Sequence, residues 1–439
     1  MSAIEFSTSR ENISSNGGLS FVEGLPSPTG AMPLWDKAPP HRCNARFSHQ
    51  ALVRALVGLL SDGCGNLADI EKFSDDPVFL RPVGEALPSQ ESFRQRLDLL
   101  AGAGWTPPAD RMASSLLRKA RLGRIQMHGM DLIPLDMDVP VLVDGASRKE
   151  GVPPTCHRVN GHAPVFRHAG PQGCMVANQM RPGSQHCPDG AAEFLERCVK
   201  IMADAGYEPA ALLPRVDSGH DSPDFIQRAQ GLGIRFLIKR NPRHGSGMQL
   251  ADSIRCDGRP ESPRPGKAIW RGIRPDMNPA RMDDFRGFMV VEATERTILA
   301  SGERLLIPEL EAGSRWTSLP FPARECVGLC HDHGTSEQFH SELKTDMGVE
   351  PPPSGKFAAN ALVPGLSTIA FNCLRLIGDA AMPAPRGEGD PRRLRRLRTF
   401  LLDFIKVGCK LVRHANALLL KIGRNFPLLS ALRKIEAIC

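Results

Sequence analysis

Three acidic residues stand in contexts that suit metal-assisted phosphodiester chemistry: Asp138 in LDMD, Asp217 in RVDSGHDS and Glu337 in HGTSEQFHSELKTD. Cleaving or joining a phosphodiester without a covalent enzyme intermediate needs a water or a 3′-hydroxyl made more acidic, and a leaving oxygen neutralised as it departs. Two divalent cations about 3.5–4 Å apart do both. Mg²⁺ prefers hard oxygen ligands and keeps part of its water shell, so carboxylates from three distant parts of a chain suffice to hold it. On this reading Asp138 bridges two Mg²⁺ ions, Asp217 completes one site and Glu337 the other, with Mn²⁺ able to substitute.

The elements that must position these residues are legible from local pattern. The run LIPLDMDVPVLVDG mixes β-branched and apolar residues around two acids, so a strand carries Asp136 and Asp138 on one face. By pattern alone Asp136 and Asp144 compete with Asp138 for the first metal position. Asp217 closes the apolar run ALLPRV and precedes the turn-prone SGHDS, which places it at the C-terminal end of a strand, where α/β sites form. Asp221, four residues on, reads as a turn or cap residue. Glu337 lies in a helical pattern, and Lys344 follows seven residues later, about two turns on the same face, within reach of a DNA phosphate. Pattern alone equally fits a solvated Glu/Lys helix face.

Around these motifs the chain divides by texture. Residues 1–125 read as a helical N-terminal region suited to binding DNA, with helices over HQALVRALVGLL, after Pro88-Ser89, and from Ala109 through ADRMASSLLRKARLGRIQM. Residues 126–245 alternate strands (GCMVANQM, ALLPRV, GIRFLIKRN) with the amphipathic AAEFLERCVKIMADAG, which indicates an α/β core. Residues 246–325 are rich in Pro, Gly and Arg with short β-prone runs (KAIWRGI, GFMVVEAT, RLLIPEL) and read as a β-rich insertion. Residues 326–380 return to helix with Glu337, and a polar Pro/Gly linker leads to a basic helical region over 391–439, where Leu394, Leu397, Leu401, Phe404 and Ile405 repeat at helical spacing.

Composition bounds the rest. A chain of 439 residues with 55 Lys+Arg against 48 Asp+Glu, net +7, is long enough for several domains and compatible with an anionic partner. Basic residues gather at Lys239, Arg240 and Arg243, and at Arg392, Arg393, Arg395, Arg396 and Arg398, as candidate phosphate contacts. No apolar N-terminal leader and no uninterrupted apolar span are visible, so a cytoplasmic protein without a membrane partner is expected. The twelve cysteines lack paired spacing and are expected to be reduced. Cys326, Cys330, His331 and His333 lie close in sequence, yet adjacent Cys330 and His331 strain a tetrahedral zinc site. Gln185 and His186 fit a structural turn, and Trp270 and Trp316 are expected to pack rather than to stack on a base.

Taken in order, GGLSFVEGL, LDMDV, RKEGV with NGHAPVF, RPGSQHCPDGAAEFL, RVDSGHDS with FLIKRN, SEQFHSELKTDMG with FAANAL, and RRLRT with LVRHA run through nearly the whole chain. In these the chain resembles a DDE transposase of a bacterial insertion sequence, and is most similar to the insertion sequence thirteen-eighty family. The resemblance implies an α/β ribonuclease H-like core interrupted by a β-rich insertion, with helical N-terminal and C-terminal regions. It also implies Mg²⁺-dependent cut-and-paste movement of the element: a homodimer or higher oligomer binds terminal inverted repeats of double-stranded DNA, nicks them and joins the ends to target DNA, within the bacterial cytoplasm at the nucleoid. Against the Y-x2-R-x3-E-x6-K arrangement of that group, Cys330 stands at the tyrosine, His333 at the arginine, and Lys344 matches the lysine. His333 and Lys344 are therefore expected at the DNA, with His333 the weaker contact. Pro364-Gly365 is expected to kink or break the helix that follows. A catalytically degenerate DNA-binding relic, or a nuclease without strand transfer, are the rival readings.

Overall fold

The computed structural model describes residues 7–26, 30–37, 46–84, 86–102, 104–145, 148–242, 246–350, 352–382, 395–415 and 417–439. Arg243, Arg392, Arg393 and Leu394 lie outside the described residues, as does most of the linker before them.

The N-terminal region is a helical layer behind a two-residue strand, Ile13–Ser14 (β1): Leu19–Gly24 (α1), His49–Ser61 (α2), Pro77–Val83 (α3), Gln90–Ala101 (α4) and Thr106–Lys119 (α5). Side chains set its starts. Ser48 Oγ accepts from Ala51 N (3.1 Å) and Asp76 Oδ1 from Val78 N (2.9 Å), satisfying amides that a helix cannot bond internally. The third expected helix is shorter than its pattern. It ends at Lys119, where the buried stripe Met112, Leu116, Leu117 runs out. Gly123 N then donates to Gln172 Oε1 (2.8 Å), and Ile125–Met127 (β2) pairs antiparallel with Met130–Asp138 (β3) instead of coiling.

The centre is one mixed sheet. After β3 come the small pair Leu142–Val143 (β4) and Gly161–His162 (β5), then Val165–Ala169 (β6), Cys174–Gln179 (β7), Ala191–Asp204 (α6), Leu212–Val216 (β8), Pro223–Gly231 (α7) and Leu237–Lys239 (β9). Helix α6 buries Phe194, Leu195, Cys198, Ile201 and Met202, the stripe its spacing predicts. The next segment supplies Ser246–Arg255 (α8), Glu261–Arg264 (β10), Lys267–Arg274 (β11), Phe288–Ile298 (β12) and Arg304–Thr317 (β13). The sheet order is β10-β11-β12-β13-β9-β8-β3-β6-β7. Strands β3, β8 and β9 are parallel to one another, whereas β6 and β7 run antiparallel on one side. The segment expected as a β-rich insertion extends this sheet, since β13 pairs with β9 through Trp316↔Ile238.

Four helical pieces cover the sheet's business end: Ala323–His331 (α9), Ser336–Ser341 (α10), a π turn over Glu342–Asp346, and Phe357–Ala381 (α11). Helix α11 is the core helix, long and apolar enough to cross a bilayer but buried inside the protein. The expected break at Pro364-Gly365 does not occur, and α11 runs unbroken through it. Pro364 O accepts from Asn178 Nδ2 and from Ser367 Oγ (2.6 Å), which ties the helix backbone at this point to β7. Gly365 is required by packing: a Cβ there would sit 2.1 Å from Trp105 Cζ3.

The C-terminal region departs from the helical expectation. Leu397–Phe400 (α12) and a π turn over Leu401–Ile405 bury Leu397, Leu401, Phe404 and Ile405, but the chain then forms the hairpin Cys409–His414 (β14) and Ala417–Ile422 (β15) before Leu429–Glu436 (α13). The stripe stops before Gly408, and β1 offers β14 an edge through Ile13↔Lys410, joining the two ends of the described chain. Arg396, its side chain still exposed, donates to Asp346 Oδ1 (3.1 Å), Ser341 Oγ (3.0 Å) and Thr345 Oγ1 (3.0 Å), which ties this region to the end of the Glu337 segment.

One buried ion pair joins α11 to the π turn. Arg375 Nη2 donates to Glu342 Oε2, both side chains essentially inaccessible, and its guanidinium lies over the Phe339 and Phe371 rings at 5.2 and 5.0 Å. Burial pushes the Glu342 carboxyl up even with Arg375 beside it. Arg375→Met is expected to destabilise the protein by about 3–5 kcal/mol, since Glu342 is left buried and unpaired. Urea unfolding checks this, and adding Glu342→Leu should return most of the loss.

Candidate active site

The geometry starts from strand register. Parallel pairing sets Asp136 opposite Arg215 and Met137 opposite Val216. Side chains alternate along a strand, so continuing this register by one residue takes the same face to Asp138, the last residue of β3, and Asp217, the residue that follows β8. Neighbouring strands lie about 4.8 Å apart. The Cys187 thiol reports this convergence: burial pushes it up to about 11, and the charges of Asp217 and Asp138 push the same way.

Each aspartate is held by local donors. Asp138 Oδ1 accepts from Val139 N (2.7 Å), and Oδ2 from His340 Nδ1 (3.2 Å). Burial opposes the charge on Asp138, but the His340 hydrogen bond and charge outweigh it and hold the carboxyl down to about 2. Asp217 caps the short turn Ser218–His220: its Oδ1 accepts from Gly219 N (3.2 Å) and His220 Nδ1 (2.8 Å), and the side chain remains 45% exposed. Its Oδ2 takes no partner among the described residues.

Helix α10 brings the third carboxylate over the same strand end. His340 reaches Asp138, and Glu337, one turn earlier, shares that helix face. Phe339 and His340 face inward onto His168, at ring distances of 5.2 and 5.4 Å, while Glu337 is exposed. Burial holds His168 well below the ordinary histidine range, so an uncharged ring seats the helix. Among the described residues no three of His, Cys, Asp and Glu close into a ready metal-ligand group. The two aspartates therefore stand at the ends of neighbouring parallel strands, and Glu337 stands on the adjacent helix without being drawn in to them.

The remaining sequence expectations fall as follows. Asp136 is buried and paired with Arg215, so it faces no solvent. Asp144 pairs with Lys149 at 3.0 Å. Lys344 donates to Val141 O, three residues beyond Asp138, which sets its ammonium beside the site. Lys239 is exposed at the end of β9, and the Arg240 guanidinium lies 5.9 Å from the centre of the Trp316 ring. His333 turns inward to Asp136 Oδ1 (3.1 Å) rather than outward. Cys326 is buried, Cys330 partly so, and His331 is exposed with Nε2 4.0 Å from Glu292 Oε1, so the four residues of the possible zinc cluster point to different surroundings. Trp316 is buried, donating Nε1–H to Asp221 Oδ1 (3.1 Å), while Trp270 lies under Arg255. Gln185 and His186 belong to a turn held by Arg181, which binds the His186 and Cys187 carbonyls. Sequence reasoning missed His340 as the partner of Asp138 and Arg215 as the partner of Asp136. The signal for Arg215 was its position two before Asp217, matching Asp136 two before Asp138, but the pairing needed the register.

Aspartates thus close two adjacent parallel strands of the sheet, with a glutamate-bearing helix packed beside them. A family model described as "Transposase DDE domain group 1" matches residues 1–243, more than half of the 439-residue chain, and the chain belongs to that family. The match includes Asp138 and Asp217 and stops before Glu337. DDE transposases generally use divalent metal ions, and the hard carboxylate oxygens of Asp138 and Asp217 are the donor type such ions prefer. Among solved structures seven chains match. One is the piggyBac transposase synaptic complex with hairpin DNA, 12% identical, with a TM-score of 0.43, covering 90% of this chain and 83% of that one. No curated protein matches.

The low pKa of Asp138 has a signed consequence. A carboxyl held at about 2 in the folded state, against about 3.9 unfolded, adds stability that is present above pH 4 and lost as pH falls through 2. The stability of the wild type relative to Asp138→Asn is expected to fall by about 2 kcal/mol between pH 5 and pH 2. Denaturant unfolding of both proteins across that range is the measurement.

Proposed function

We propose that this transposase cuts and rejoins double-stranded DNA at the terminal inverted repeats of a bacterial insertion sequence, moving it by cut-and-paste with two Mg²⁺ ions. The carrying observation is the parallel register of β3 and β8, whose last pair, Met137↔Val216, immediately precedes Asp138 and Asp217. The order β7-β6-β3-β8-β9, an antiparallel meander continued by two parallel strands, supports a ribonuclease H-like core. Asp138, Asp217 and Glu337 would hold the metal, which when bound acidifies the attacking water or 3′-hydroxyl and neutralises the leaving oxygen. Ionised Asp138 offers its charge at neutral pH, His340 keeps its carboxylate aimed, and the short turn after Asp217 fixes the second acid. Lys344, Lys239, Arg240 and Arg243 are the proposed phosphate contacts. Assembly as a homodimer or higher oligomer on DNA, in the bacterial cytoplasm at the nucleoid, belongs to the same reading.

A second reading, a DNA-binding copy without catalysis, is favoured by one observation: Glu337 is not gathered into a ligand group with the two aspartates. Cleavage of end-bearing DNA by purified protein with Mg²⁺ or Mn²⁺ separates the two readings. On the leading one, Asp138→Ala, Asp217→Ala and Glu337→Ala each lower strand cleavage by at least about a hundredfold, because a metal's contribution of several kcal/mol is lost. Binding of the same DNA in a gel-shift assay persists, since phosphate contacts lie elsewhere. Retained nicking by any variant removes that residue from the mechanism, and a wild type that binds ends without cutting them establishes the second reading.

A further inference from the structure

Beneath the three carboxylates lies a buried polar joint that the chemistry itself does not use. Asp136 accepts from Arg215 Nε at Oδ1 (2.7 Å) and from Arg215 Nη2 at Oδ2 (2.7 Å), a two-point grip. Arg215 Nη1 continues to Leu329 O in α9 (2.9 Å), and His333 Nδ1, just beyond α9, closes on Asp136 Oδ1 (3.1 Å). Side-chain exposures are 3% for Asp136, 5% for Arg215 and 14% for His333. Each member stands a fixed short step before a proposed ligand. Asp136 is two residues before Asp138 on β3, Arg215 two before Asp217 on β8, and His333 four before Glu337.

We infer that Asp136, Arg215 and His333 form a positioning joint that locks the Glu337-bearing helix onto the two aspartate-bearing strands and so sets how tightly the site holds metal. This rests on the reading of the three acids as metal ligands. The chemistry of the joint fits that task. The guanidinium fork meets both carboxylate oxygens and still has an N–H for the Leu329 carbonyl, which a lysine ammonium cannot reproduce. Burial opposes the charge on Asp136, but His333 and Arg215 together hold its carboxyl below the usual range. Two strands and a helix are thereby coupled through one carboxylate. His333 spends its ring nitrogen on that carboxylate, which accounts for its inward turn at a position first assigned to DNA contact.

The test uses the full chain in four forms: wild type, His333→Ala, His333→Gln and Arg215→Lys. Hydrogen exchange by mass spectrometry reads the joint without reference to activity. Exchange over residues 323–346 should quicken by about tenfold in His333→Ala and Arg215→Lys, with α2 and α5 unchanged, while His333→Gln, which keeps a donor, stays near wild type. In cleavage assays the Mn²⁺ concentration for half-maximal rate should rise by about 10–100-fold in the first two variants, as on loss of a ligand's supporting partner, with affinity for end DNA unchanged. Unaltered exchange over 323–346 in the well-tolerated His333→Ala, or quickening spread evenly over the protein, overturns the joint. A wild type that shows the exchange pattern but never cleaves leaves the joint standing and removes the catalytic reading. Cleavage with an unshifted metal dependence in His333→Ala does the reverse.

Discussion

Backbone register between β3 and β8 is the constraint on which the rest of the molecule depends. With Asp136 opposite Arg215, the same alternation that buries an ion pair beneath the sheet's end must bring Asp138 and Asp217 together above it. A slip of one residue would send every side chain of one strand to the other face, separating the two acids and breaking the ion pair at once. Geometry near the site and burial below it are thus set by one set of hydrogen bonds.

The third acid depends on a different device. Glu337 sits on the six-residue helix α10, too short to be stable by itself. Its position comes from what it packs on: His340 bonded to Asp138, the uncharged His168 ring under Phe339 and His340, and the Arg375–Glu342 pair that ties the following π turn to α11. Buried ion pairs of this kind often add little net stability compared with apolar replacements. Their value here is angular, since a guanidinium between two aromatic faces and a carboxylate has one orientation. The site is therefore rigid at its strands and supported at its helix by polar contacts, several of which involve histidine.

Much of the architecture was legible because local signals and tertiary demands agreed. The stripe of α6, the starts of α2 and α4 at Ser48 and Ser89, and the strand ends at Asp138 and Asp217 all follow patterns that burial then used. Disagreement arose where a distant partner competed with local preference. Helix α5 stopped early because Gln172 and β3 claimed the backbone after it, α11 ran on through Pro364 because tertiary packing buries it almost throughout, and the C-terminal region left helix for a hairpin because β1 offered an edge. The β-rich insertion joins the central sheet through β9.

Sequence by itself determined which chemical groups this protein possesses and the kind of element on which each acid rides, because side-chain type and periodicity are local properties. It also determined membership in its family, since ordered motifs persist along the chain. Only the tertiary structure decided which oxygen meets which donor: that His340 holds Asp138, that His333 turns to Asp136, and that Arg396 caps the glutamate segment. These contacts join residues far apart in the chain, and their existence depends on register, helix seating and burial, none of which any short stretch of residues contains.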